Sequence, residues 1–137
     1  MPSYTLAIRN ARQQVIADAI DAGSAGGKFK CYTGTSPGIA NAATGTLLGI
    51  CTFSASCGTV ADGALTFSAI TDGVGLSEGT VGYVRCTDSD DNKVVDMTAG
   101  TTGSGKEVIF TNINIVVGGT IRVDTTSGAS KLIDGNA

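Results

Sequence analysis

The chain reads as a mainly β protein, a sandwich or barrel of short strands led in by one N-terminal helix. Three observations predict this. From Lys28 onward, apolar and polar residues alternate with a period of two in about seven short runs. Clusters of Gly, Pro, Asn and Asp separate those runs at sandwich-like intervals. Before Lys28 the apolar residues instead recur at helical spacing. The organisation expected is a helical segment at 1–27 and a β-sheet unit at 28–137, together one domain around one core.

The helix is expected over about Thr5 to Ala22. Ile8, Ala11, Val15, Ile16, Ala19 and Ile20 form its apolar stripe, and Gly23 with Gly26-Gly27 stops it. Its charges run against the macrodipole: Arg9 and Arg12 lie in the N-terminal half, Asp18 and Asp21 near the C-terminus. Such a helix needs outside support, from its own sheet or from a neighbour.

The strands expected next are 28–33, 46–54, 64–70, 80–86, 93–97, 108–117 and 120–126, with "KLID" (131–134) last. In "INIVVGGTIRV" a three-residue loop, Val117-Gly118-Gly119, would pair Ile115 with Ile121 and Ile113 with Val123. It would put Gly119 in the left-handed position and leave Asn112, Asn114, Arg122 and Asp124 on a wetter face. No segment repeats.

Composition narrows the function classes. Apolar residues make up 42% of the 137, yet Trp is absent and aromatics are only 5%, so the core must come from Val, Ile, Leu and Ala. Twenty glycines without a three-residue period signal tight turns, not collagen. A net charge of −3 without a Lys/Arg stripe argues against nucleic acid as a partner. No run approaches the ~20 apolar residues of a membrane span. No apolar stretch of signal-peptide length opens the sequence either, so the expected place is the cytosol, or export as part of something larger.

"AGTTGSGKEVIF" (99–110) is the loudest chemical motif, a near match to a phosphate-cradling loop. It fails because Glu107 stands where a Mg²⁺-holding Ser or Thr belongs, and because "EVIFTNINIVV" reads as strand where the motif must open a helix. "TDSDDNKVVD" places Asp88, Asp90 and Asn92 at the first three ligand positions of a calcium loop. Lys93 then replaces the turn glycine and Ala99 the closing glutamate, so a turn bonded to itself is expected. Cys31, Cys51, Cys57 and Cys86 contain no Cys-x-x-Cys pair and there is no His; they read as reduced, mostly buried thiols, not a zinc site. Without His, Ser/His/Asp and Cys/His arrangements are impossible; a carboxylate pair stays open, but with only two glutamates and the aspartates mostly in turns, no enzyme, cofactor or metal is expected.

One likeness goes further. Arg9-Asn10-Ala11, Ile20-Asp21-Ala22-Gly23 and Tyr32-Thr33-Gly34-Thr35-Ser36-Pro37, with the later stretch "YVRCTDSDDNKVVDMTAGTTGSG", cover roughly two-fifths of the chain. They resemble small virion proteins of tailed bacteriophages, the capsid cement or decoration family in particular. Asn92-Lys93 departs from the pattern, where a glycine usually follows the acidic turn. The resemblance implies a jelly-roll-like antiparallel β-sandwich that trimerises on the capsid exterior, binds the major capsid protein and ties capsomers together, after assembly in the bacterial cytoplasm. A tail, neck or fibre-associated or receptor-facing protein is the alternative.

Overall fold

The computed structural model describes residues 4–126 and 129–133, and it is a β-sandwich-like fold with one N-terminal helix. Helix α1 spans Leu6–Ile20, capped by Thr5, whose Oγ1 accepts from the Ile8 N–H at 3.4 Å. The main sheet uses β1 (Lys28–Tyr32), β2 (Leu47–Phe53), β5 (Ile70–Thr71), β8 (Tyr83–Thr87), β9 (Lys93–Gly100) and β10 (Val108–Ile109), in the order β10-β9-β8-β1-β2-β5. A second sheet is β3 (Gly58–Ala61), β4 (Ala64–Phe67) and β13 (Lys131–Ile133), in the order β13-β4-β3. Two short ribbons complete the fold, pairing β6 (Gly73–Val74) with β12 (Thr120–Ile121) and β7 (Gly79–Thr80) with β11 (Asn114–Ile115).

The layers meet through side chains set by period two. Phe29 from β1, Phe53 from β2 and Phe67 from β4 pack their rings tilted or edge-on, with centroids 4.6, 5.3 and 5.5 Å apart, joining the two sheets. Cys31, Leu48, Cys51, Val84, Cys86 and Ile121 extend this core, each fully enclosed. Thiols and small aliphatics fill the space that larger aromatics would otherwise take. Ala17 and Ile20 of α1 belong to the same cluster.

β8 is buried at all five positions because both of its faces are covered. Val84 and Cys86 face the core, whereas Tyr83, Arg85 and Thr87 occupy the other face. Part of that second face lies beneath the long connection 33–46, which Tyr83 and Arg85 hold in place.

Several expectations need correction. The helix packs through Gln13, Ala17 and Ile20, not through the whole expected stripe; Ile8 and Val15 are 49% and 68% exposed. The cause is local, since the Asn10 side chain accepts the Gly63 N–H at 2.7 Å and Arg9 lies against Gly63. Strand β3 falls inside "CGTVADG", expected to be a turn. The turn is only Asp62-Gly63, whose φ values of 54° and 76° close a two-residue hairpin between Ala61 and Ala64.

The expected strands 64–70, 80–86, 108–117 and 120–126 are each broken, 80–86 at Val81-Gly82 between β7 and β8, and the 113–123 hairpin does not form in the expected register. Val123 bridges Phe110, while β11 and β12 pair with β7 and β6. The segment 73–76 enters the gap: Gly75 donates to the Gly119 carbonyl at 2.8 Å and Gly118 donates to that of Gly75 at 2.9 Å. Gly118, not Gly119, takes the left-handed conformation, at φ 80°. The expected in–out alternation holds in most places, with Ile115, Ile121 and Val123 buried and Asn112, Asn114 and Arg122 exposed; Ile113 and Asp124 are half-buried. β9 continues three residues past its expected end and carries β10 as a short parallel partner. Of the expected last strand, Asp134 lies outside the described residues.

Candidate interaction surfaces

Tyr83 and Arg85 hold the 33–46 connection to the sheet. The Arg85 guanidinium binds the Asp96 carboxylate through Nε and Nη2 at 2.7 and 2.9 Å. Its Nη1 and Nη2 also donate to the carbonyls of Asn41 and Gly38, at 2.9 and 3.2 Å. Tyr83 stacks on Tyr32 and its hydroxyl donates to the Thr44 carbonyl at 2.7 Å. Ser36 donates to the second oxygen of Asp96. Burial alone would raise the Asp96 carboxyl, but the hydrogen bonds from Arg85 and Ser36 hold it below its ordinary range. The result is a stapled loop.

A cavity of about 290 Å³ opens beside this staple, walled in part by Ser36, Tyr83, Asp96, Thr98, Lys106 and Glu107. Most of its polar groups are engaged internally. Glu107 accepts from the Thr98 N–H and hydroxyl at 2.9 and 2.8 Å, and Asp96 serves Arg85 and Ser36. Lys106 therefore looks onto a wall bearing two carboxylates, which would repel a phosphate. The chain after it enters strand β10, without the helix N-terminus that phosphate binding uses.

The acidic turn is bonded to itself, as expected. Asp88 accepts from the backbone N–H groups of Asp90 and Asn92 at 2.9 and 3.0 Å, and from the Asn92 side chain at 2.9 Å. Asp91 adopts φ 68° and faces Lys30 and Lys28 at 2.8 and 2.9 Å; these lysines pull its carboxyl down to about 2.

All four cysteines are free and buried. A hydrogen bond between the Cys31 and Cys51 thiols, followed by burial, pushes Cys31 well above the ordinary range. Burial does the same to Cys86, and burial with Asp21 pushes Cys57 up to about 12. A thiolate-selective reagent at pH 8 is expected to modify fewer than one thiol per native chain within minutes, and four after denaturation. Rapid native labelling of Cys31 or Cys86 would mean that the sheet opens readily.

Apart from Ile39 in the 33–46 connection, the exposed large apolar side chains among the described residues fall in two groups. At one end of the sandwich, the interlocked segments 73–76 and 116–119 present Val74, Leu76, Val116 and Val117, at 60%, 57%, 54% and 69% exposure. Scattered exposed apolar residues are ordinary, but four on two segments tied by backbone hydrogen bonds make a patch. Contact with backbone fixes the close approach: a Cβ on Gly75 would stand 2.0 Å from the Val116 carbonyl oxygen. The patch is thus presented on a rigid support.

The second surface is the outward face of α1, with Tyr4, Ile8 and Val15 exposed and Leu6 beside them. The two surfaces lie toward opposite ends of β2. Leu48 accepts from the Leu76 N–H, whereas Phe53 accepts the approach of Gly26 just beyond α1. The sequence reading flagged the helix but missed the 73–76/116–119 patch, although "VGL" and "VVGG" could have marked apolar residues held in tight turns.

Comparison of the chain with protein-family models, curated proteins and solved structures finds no match. No described helix is long and apolar enough to cross a membrane.

Proposed function

We propose that this chain is a structural virion protein, a capsid cement that sits on the outside of a tailed-phage head as a homotrimer and clamps capsomers of the major capsid protein. The patch of Val74, Leu76, Val116 and Val117 carries the reading, because it is an apolar surface tied by backbone hydrogen bonds that none of the described residues covers. The residues behind the resemblance to decoration proteins also prove to be joints of the fold. Asn10 binds Gly63, Asp21 accepts from the Cys57 N–H at 3.0 Å, and Tyr32 stacks on Tyr83. A likeness seated in such joints is a likeness of scaffold, which supports a shared architecture.

A clamp works by repetition. A trimer offers the patch three times, and each attachment raises the effective concentration of the next. Burying one Val or Leu gains about 1.5–3 kcal/mol. Replacing both Leu76 and Val117 with Asp is therefore expected to weaken attachment to heads lacking the protein by at least about 100-fold. Co-sedimentation with such heads measures this. Heads without the protein should also lose resistance to heat or osmotic shock before they lose shape. Wild-type attachment by the double variant, with unchanged head stability, would overturn the proposal; blocked adsorption would then point to a tail or receptor-facing role.

A further inference from the structure

We infer that α1 is two parts in one helix: residues 6–15 are a detachable strap, which leaves the β3–β4 hairpin and unwinds while residues 16–20 and both sheets stay folded. The inference does not rest on the capsid reading, since it follows from how the two parts are held.

The second part is built into the core. Ala17 and Ile20 belong to the buried cluster and Ile16 packs against it. Asp21, the C-cap, accepts the Cys57 N–H at 3.0 Å, and the Cys57 thiol donates to the Ala17 carbonyl at 3.8 Å. Beyond the cap, the Ser89 hydroxyl accepts from the Ala25 N–H at 3.4 Å and leaves no room for a Cβ on Gly23.

The first part has no apolar anchor. Within residues 6–15 no apolar side chain is buried; the side toward the sheets is Arg9, Asn10 and Gln13. Asn10 accepts the Gly63 N–H at 2.7 Å, and Arg9 lies against Gly63. Gln13 is 3% exposed, yet its Oε1 finds no hydrogen-bond partner among the described residues, and neither does the buried Nε of Arg9. Both atoms weaken the closed state and meet water on opening. Ile8 and Val15 face water already, so detachment forfeits little apolar burial. The Gln14 to Asp18 side-chain bond crosses the boundary, but it is exposed and local to the helix.

Once free, so short a segment does not keep its helix in water. Its charges favour unwinding too: Arg9 and Arg12 stand toward the positive end of the macrodipole, and the first turn holds no acidic residue. Arg12 lies over the Tyr4 ring at 4.8 Å, a contact that travels with the strap. Ordinary fraying takes a residue or two at a helix end; here the boundary falls where apolar anchoring begins, at Ile16. Release uncovers the Asp62-Gly63 turn and lets residues 5–15 extend at most about 35–40 Å from the sandwich.

Native-state hydrogen exchange of the full chain, followed by NMR at several urea concentrations below the unfolding transition, tests this. The amides of residues 10–14 are expected to exchange at least about 100-fold faster than those of Ile20, Asp21 and strands β1 and β8, with almost no dependence on urea. Equal rates in the two groups, or one shared urea dependence, would overturn the strap. Gln13→Met fills a similar space without the orphaned amide oxygen. It should slow exchange at residues 10–14 at least about 5-fold, and leave Ile20, Asp21 and the two strands unchanged within about two-fold. No slowing at 10–14, or equal slowing in both groups, would also overturn the inference, because the polar underside would then not set the opening. Should Gln13→Met lose its native circular dichroism, the wild-type comparison decides alone.

Discussion

Replacing Asp96 with alanine is expected to lower the midpoint of thermal unfolding by roughly 10 °C, a loss of about 3 kcal/mol for a chain of this size. The Arg85–Asp96 pair has side-chain exposures of only 5% and 8%. Truncating Asp96 leaves the guanidinium buried with the carbonyls of Asn41 and Gly38, and without its counter-charge. Ser36 loses its acceptor at the same time, so the 33–46 connection is released at two points. Limited proteolysis should then cut within residues 34–45 faster than in wild type. The pH dependence has a definite sign. The native Asp96 carboxyl lies below its ordinary range, so its contribution is complete above the unfolded value near 4 and is lost as pH falls through the lower native one. The stability gap between wild type and variant should stay constant from about pH 5 to 8 and narrow below about pH 4. A drop of less than 3 °C at neutral pH, outside the 3–5 kcal/mol expected of broken buried pairs, would show that water reaches Arg85.

The fold was legible wherever burial was one-sided. β1, with Phe29 and Cys31 inward between Lys28, Lys30 and Tyr32, displays the period of two that the sequence shows. The inner half of β2, where Cys51 and Phe53 flank an exposed Thr52, was found for the same reason. Failures cluster where tertiary pairing decided against local pattern. "VIFTNINIVV" alternates along its length, but Gly75 bonds to Gly118 and Gly119, and the stretch breaks into β10 on the main sheet and β11 in a ribbon with β7. Alternation predicted which side chains are buried there, since Ile115 and Ile121 would face inward in either arrangement. It could not predict which strand lies alongside, because register depends on a segment some forty residues away.

β3 was a different kind of miss. Asp62-Gly63 is a strong hairpin signal, and "GTVA" and "ALTF" flank it with β-branched and apolar residues. The signal was present and was merged into a longer turn. The helix stripe was half right: Ile16 and Ile20 contact the core cluster, whereas Ile8 and Val15 do not. Periodicity places a face on a helix but does not orient it when an inward Asn10 can satisfy a turn N–H and a small Ala17 allows close approach. Among the candidate surfaces, the inverted charge of α1 could be read directly, while the apolar tip could not. Val74 and Val117 are distant in sequence and become one patch only through the glycine contacts that misled the strand reading.

Ile20→Ala is expected to be the most damaging single change on α1, costing about 3–4 kcal/mol, while Val15→Ala should cost less than about 0.5 kcal/mol. The two residues share a helix and differ in the side they face. Ile20 is fully enclosed, and its Cγ2 would lie 2.6 Å from a Cβ on Gly27, so no larger neighbour could move in to refill the space. The helix is tied beside it as well, where Asp21 accepts from the Cys57 N–H and the Cys57 thiol reaches the Ala17 carbonyl at 3.8 Å. Deleting residues 1–22 removes these contacts together and uncovers β3 and β4, against which α1 packs. The truncated chain should therefore aggregate or lose its β-sheet circular dichroism rather than persist as a stable sandwich. Urea unfolding of the two point variants gives the quantitative form, with unchanged slopes and a midpoint displaced only for Ile20→Ala. If the truncated chain folded, the helix would be an appendage whose purpose lies wholly outside its own domain. If Ile20→Ala is destabilised as expected while Val15→Ala is not, α1 has an inner face that belongs to the core and an outer face that adds little to its stability.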